Sequence, residues 1–411
     1  MKRLSKVPSP RVLPLRPTLI LLLPILTACT SDGHVATELL GYSVRDSAGV
    51  SIVENTEPAW ANGEGWALSA EPVLSIGEMD GPEELNLYRA VGALKMDDGR
   101  IVVANGGTNQ LRFFASDGGF LHATGGEGEG PGEFRGTAAI YRLGPDSLAV
   151  LDFRLFRFSI FDQAGTFTRN FRVAEGNSDL PFPHGFFSDG TILASIHASD
   201  SGDYTELGVI QRPVTYHRYD RDSGLLTDLA ALPGEAVYRG VHSDGTGFAF
   251  SPGHSVRPFA AVGSSSWFWG PGSAVEIQER SIEGHLLKIF RLEREPRPMP
   301  SELVSEWEEQ IRKLPPDAAI MRRAIPLPEF LPAHEAILVD RLGNVWMAGY
   351  AVQDEDPRWS VFDPSGRWLG DVVVPAGGRV TEIGEDYLIG VWRDDLGVEA
   401  VRVYGLDKPG A

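Results

Sequence analysis

The chain has 411 residues, with 56 acidic against 37 basic side chains, a formal charge of −19 and a single cysteine. One thiol excludes an intrachain disulfide framework, and the acidity excludes nucleic acid as a natural partner, because phosphate backbones would repel it. With 47 glycines, 29 prolines and aromatic or β-branched residues in short runs, the composition is that of a globular β protein.

At the N-terminus Lys2, Arg3, Lys6, Arg11 and Arg16 precede an apolar run at 19–26 and then "LTAC", ending in Cys29. A basic region, a short apolar region and small residues before a cut site make a secretory signal. The run is well short of the roughly 20 residues that span a bilayer. "LTAC" resembles the lipobox of bacterial lipoproteins, which implies that Cys29 becomes the lipidated first residue once residues 1–28 are removed. Loss of five basic residues moves the charge to −24, so membrane contact is expected through the lipid and not through a basic face. Residues 29–42 read as a tether and 43–408 as the folded domain.

Beyond the tether the chain repeats itself. "MDDGRIVVANGGTNQLRFFASDGGFL" (96–121) lies over "LGPDSLAVLDFRLFRFSIFDQAGTFT" (143–168) as turn, strand, loop, strand, Gly turn, strand. The pattern recurs at 187–226, 263–287, 339–369 and 383–406. Six copies start their first turns 48, 43, 75, 78 and 43 residues apart. The short intervals match the period of four-stranded propeller blades, and the two long ones carry insertions. "VANGGTNQLRFFASDGGF" and "VDRLGNVWMA" are similar to NHL repeats, and "GxGxGPGEF" to the linker between NHL blades. The chain resembles the uncharacterised six-bladed β-propeller lipoproteins of bacteria, which implies an all-β, six-bladed, NHL-like propeller.

"GGEGEGPGEF" (125–134) falls between the outer strand of blade one and the inner strand of blade two. Glycine there supplies backbone angles that other residues avoid. A phosphate loop would need a following "GK[ST]" and helix, and a calcium loop needs oxygen donors at regular offsets; Glu127, Glu129 and Glu133 lack that spacing. It reads as a turn. Segments 44–55 and 66–77 have strand character without a blade of their own, and one of them is expected to complete blade six and remove an open sheet edge. The 300–324 segment breaks the β pattern. Leu303, Trp307, Ile311 and Leu314 share a helical face, with Ser301 as N-cap. This predicts a helical insertion between blades four and five, packed on the rim or closing one mouth of the channel.

Just before the inner strands lie Arg89, Arg135, His184, Arg257, His334 and Arg379. If they converge at one end of the axis, Arg offers bidentate donors to a carboxylate, phosphate or sulfate; alternatively they pair with neighbours such as Glu133, Glu335 and Glu382. His184 and His334 also allow a zinc or calcium site, since enzymes with NHL-type propellers often hold a metal near the axis. Two histidines fall short of a catalytic zinc set; His242 or Glu335 would have to complete it. The serines at 264–266 and "GHSVRPF" lack nucleophile-elbow spacing. No catalytic set stands out. The expected function is therefore a monomeric, envelope-anchored scaffold binding an anionic small molecule, glycan, peptide or protein, with a metal-dependent hydrolase or lyase as the alternative.

Overall fold

In the computed structural model, which describes residues 37–39, 41–61, 64–172, 181–197, 206–220, 224–242, 244–352 and 355–408, the first repeat forms a four-stranded antiparallel meander. Its strands are Ala90–Lys95, Ile101–Asn105, Gln110–Phe114 and Phe120–Gly125. The signal segment, Cys29 and most of the tether lie outside the described residues. "IVVAN" is a continuous apolar run because both faces of the sheet are covered. Ile101 and Val103 pack with Ile389 and Val401 of the last sheet, while Val102 and Ala104 pack with Leu148 and Val150 of the next. Alternate side chains thus serve opposite neighbours.

Among the described residues there are six sheets, three of four strands, two of five and one of seven. The later ones begin with the inner strands Thr137–Leu143, Phe182–Phe186, Phe259–Val262, His334–Val339 and Gly378–Ile383. Each inner strand touches the next, and the sixth returns to the first. Arg379 donates to the carbonyls of Ala90 (2.9 Å) and Val91 (2.8 Å), and Thr381 Oγ1 to that of Ala93 (2.7 Å), so adjacent inner strands run side by side in the same direction. The sheets are the blades of a β-propeller. Near the axis space is short: a Cβ on Gly92 would lie 2.9 Å from Ile140 of the next blade. All six inner strands start at one end of the axis, here called the mouth face.

Ring closure falls to the second of the two candidate segments. Glu399–Asp407, the last strand of blade six, pairs with Ala67–Leu68 and Leu74–Ile76. The 44–55 segment goes elsewhere: it forms a hairpin, Tyr42–Ser47 with Val50–Asn55, whose second strand pairs in parallel with Leu286–Leu292 of blade four. Val53 fits there because its side chain enters a core shared with Phe290, Ile337 and Phe362. Buried Asn55 locks the junction, donating to the carbonyls of Arg291 (2.9 Å) and Gly366 (3.0 Å) and accepting from Trp368 N (2.8 Å). Thr37–Leu39, inside the segment read as tether, adds a strand to this hairpin. The N-terminal stretch therefore belts blades four, five and six before the chain enters blade one.

The glycine-rich 125–134 stretch is a turn wrapped on buried Phe134, whose N–H donates to Gly126 O at 2.9 Å. Arg157 donates to the carbonyls of Glu129, Gly130 and Glu133, leaving no open cradle.

Both long insertions stand on the mouth face. In blade three, Gly208–Tyr219 and Leu225–Val241 run past the end of their neighbour Ile192–His197 and, with Gly247–Phe250, form a flap. Between blades four and five lie two helices, α1 (Ser301–Arg312) and α2 (Pro316–Ala324). Trp307 and Ile311 of α1 are buried; Trp307 packs on Gly253, where a Cβ would meet its ring at 2.8 Å. Leu314, expected on the same face, is exposed beyond the helix end. The N-cap is Pro300, not Ser301, and no side chain caps it. Proline's fixed φ already suits that boundary.

Candidate functional site at the mouth face

All six basic residues singled out above lie at the starts of inner strands, but their side chains do different things. Arg379 is spent on the carbonyls of blade one. Arg135 pairs with Glu129 at 3.0 Å. His334 is wholly buried; its Nε2 accepts from Gly272 N at 3.0 Å, and its Nδ1 has no partner among the described residues. Burial holds its pKa down to about 4, so it is neutral near pH 7. His184 contacts Ser195 Oγ through Nε2 at 2.9 Å, and burial, then the nearby His197, bring it to about 4. Arg257 is exposed, 3.8 Å from Glu235. Arg89 is exposed with a left-handed backbone, φ 54°.

The carboxylates expected beside them also need correction. Glu382 does not pair with Arg379; it binds Arg142 (3.0 Å) and accepts from the Tyr387 hydroxyl at the far end of the channel. Arg142 also donates to Lys95 O, and Arg341 meets Asp97 at 2.8 Å. That end is filled by a structural ion network. Glu133 accepts from Gly130 N within its own turn. Glu335 is raised by burial and has no basic partner among the described residues.

What the mouth face does bring together is a polar chain across blades three, four and five. His184 and His197 flank Ser195 Oγ, at 2.9 and 3.5 Å. His197 lies in the field of Glu235, which accepts from Ser255 Oγ (3.3 Å) and faces Arg257. His254 Nδ1 meets the Tyr350 hydroxyl at 2.6 Å, and burial, then Glu335, raise that tyrosine's pKa. Tyr350 and Val256 also line a cavity of about 1110 Å³ between blades four and five, beneath the 295–297 and 328–333 segments. Ser195 is buried, so it bridges two imidazoles and is not presented to a substrate.

Sequence reading missed Ser195, His197, Glu235 and Tyr350. The i, i+2 spacing of Ser195 and His197 on one strand was a usable signal; Glu235 and Tyr350 arrive from an extended hairpin and a loop whose paths no local pattern sets. The metal alternative rests on His184 and His334. The Nε2 atoms of both histidines are engaged by separate partners, His242 sits in the flap's turn beside Phe248, and among the described residues no three His, Cys, Asp or Glu side chains come together as a metal set.

Residues 83–179 match the model of a family described as a 6-bladed beta-propeller. Among solved structures, a Bacteroides fragilis protein is 12% identical, with 86% of this chain and 99% of that one covered at a TM-score of 0.45. A member of the DUF4221 family from Bacteroides vulgatus is 10% identical, with 84% and 99% covered at 0.49. A gluconolactonase from Xanthomonas campestris is 13% identical, with 77% and 86% covered at 0.40. Likeness at this level carries nothing about chemistry. No curated protein matches the sequence.

Proposed function

We propose that this chain is an exported, lipid-anchored, NHL-like six-bladed propeller that works as a binding scaffold in the cell envelope. Its ligand, a small anionic molecule, glycan or peptide, sits at the mouth face against blades three to five. One observation carries the reading. The polar chain from His184 through Glu235 and Arg257 to Tyr350 lies on the face where the flap and the helical insertion both stand, beside the cavity of about 1110 Å³. Insertions of this length on one face of a compact ring are common binding elements, and a cavity with a few convergent polar groups is the usual form of a ligand site. The signal segment and Cys29 support the location.

The reading is tested with the Cys29→Ser chain, which keeps every folded residue. Deproteinised extract of the producing cell's envelope should raise its melting temperature by ligand linkage. The rise should shrink when Arg257→Ala and Tyr350→Phe are combined. No rise in the unsubstituted chain, or the same rise in the double variant, overturns it.

A further inference from the structure

Four exposed aromatic side chains on the mouth face bear on the ligand's class. Tyr88 is 66% exposed, Phe153 55%, Phe182 53% and Phe156 38%. Tyr88 precedes the first inner strand, Phe153 and Phe156 stand in the loop after Ser147–Asp152, and Phe182 begins the third inner strand. Their supports are continuous. Thr137 N donates to Asn109 Oδ1 (3.3 Å), Phe153 N to Gly136 O (2.9 Å) and the Tyr141 hydroxyl to Pro183 O (3.2 Å), joining blade one to two and two to three. Rings left in water on contiguous loops mark an interaction surface.

Phe156 is the most telling of them. Its φ is +49°, and it is the last loop residue before Arg157–Asp162. The same place in blade one, before Gln110–Phe114, holds Asn109 at +54°. Asparagine visits this left-handed region readily because its short side chain bonds locally, whereas a bulky aromatic residue there is strained. Among the aromatic side chains the Phe156 ring meets Phe153, itself exposed, at 5.4 Å. Arg89 and His254 hold the same conformation on the same face, at +54° and +55°. Clustered strain of this kind belongs to sites shaped for something other than folding.

Charge narrows the class further. Arg135 is matched by Glu129, Arg257 by Glu235 and Arg393 by Glu399, and Arg379 is held by carbonyls. None of these four cations calls for an anionic ligand. Flat rings pair with the C–H faces of sugar rings, while polar groups take the hydroxyls.

Resting on the scaffold reading above, we infer that Tyr88, Phe153, Phe156 and Phe182 form a stacking platform for a neutral oligosaccharide. The glycan lies from blade one to blade three, where it meets the polar chain of blades three to five at His197, with Arg89 and His197 as hydroxyl partners. Cello-, xylo-, manno- and chitohexaose are titrated calorimetrically into the Cys29→Ser chain, alongside an unstructured mixed-charge dodecapeptide. At least one hexasaccharide should bind, and Phe156→Asn or Phe182→Leu should each weaken it about five- to tenfold, the worth of one stacked ring. Phe156→Asn should at the same time hold or raise the melting temperature by roughly 1–2 °C as backbone strain is relieved. Binding of the peptide but of no saccharide, or of neither, overturns the glycan; the scaffold reading stands or falls separately, on the thermal shift with envelope extract. Undiminished saccharide affinity in Phe156→Asn, or a lowered melting temperature, overturns the platform.

Discussion

Replacing His334 with glutamine isolates a pH-dependent part of this protein's stability. The imidazole is wholly buried, and its Nε2 accepts from Gly272 N, so the folded chain needs the unprotonated ring. Burial lowers the pKa from 6.5 to about 4. The folded value lies below the unfolded one, so the unfolded chain takes up the proton first as pH falls. Stability is fully present above about pH 6.5, drains away between 6.5 and 4, and changes no further below that. At pH 4.5 the linkage amounts to about 2.5 kcal/mol, at about 1.4 kcal/mol per pKa unit. Glutamine can still accept from Gly272 through its amide oxygen but does not titrate. Urea denaturation at pH 7.5 and 4.5 should therefore show a smaller acid loss in His334→Gln than in the parent, by about 2–3 kcal/mol at constant m-value. His184, also held near 4, and the carboxylates contribute to both proteins and cancel in the difference. Equal acid losses in the two proteins would refute the buried, neutral assignment.

The same molecule supports three further predictions. Cys29→Ser should move the protein from the membrane to the soluble fraction, as fractionation and immunoblotting would reveal; continued membrane attachment of the processed variant counts against the anchor. A chain beginning at residue 80 loses both the closing strand Leu74–Ile76 and the Tyr42–Asn55 hairpin, exposing edges and apolar faces together. It should melt far below a chain beginning at residue 37, and equal melting temperatures would show that the belt is dispensable. Asn55→Ala strands two carbonyls and an N–H at the junction of blades four and five; a loss of about 2–4 kcal/mol in chemical denaturation is expected, and a change below ~0.5 kcal/mol would put the hairpin's attachment elsewhere.

Much of the architecture was legible in the residues because a propeller repeats a local code. Each blade spells its own strands and Gly turns, so "IVVAN" and "LAVLD" read as strands, and the spacing of the copies located both insertions. Phe134 and the glycines of 125–134 likewise read as a turn, since backbone freedom is a local property. Pairings between distant segments were not legible in that way. That 66–77 closes blade six while 44–55 joins blade four turns on which exposed edge and apolar groove each segment meets, and both have the same strand character in isolation. The basic residues at the strand starts show the limit most clearly. Sequence placed all six at the same end of the axis, but the fold assigned Arg379 to the carbonyls of blade one, buried His334 under Gly272 and gave Glu382 to Arg142. Repeat and turn depend on neighbours along the chain; hydrogen-bond partners and burial depend on what the closed ring brings alongside.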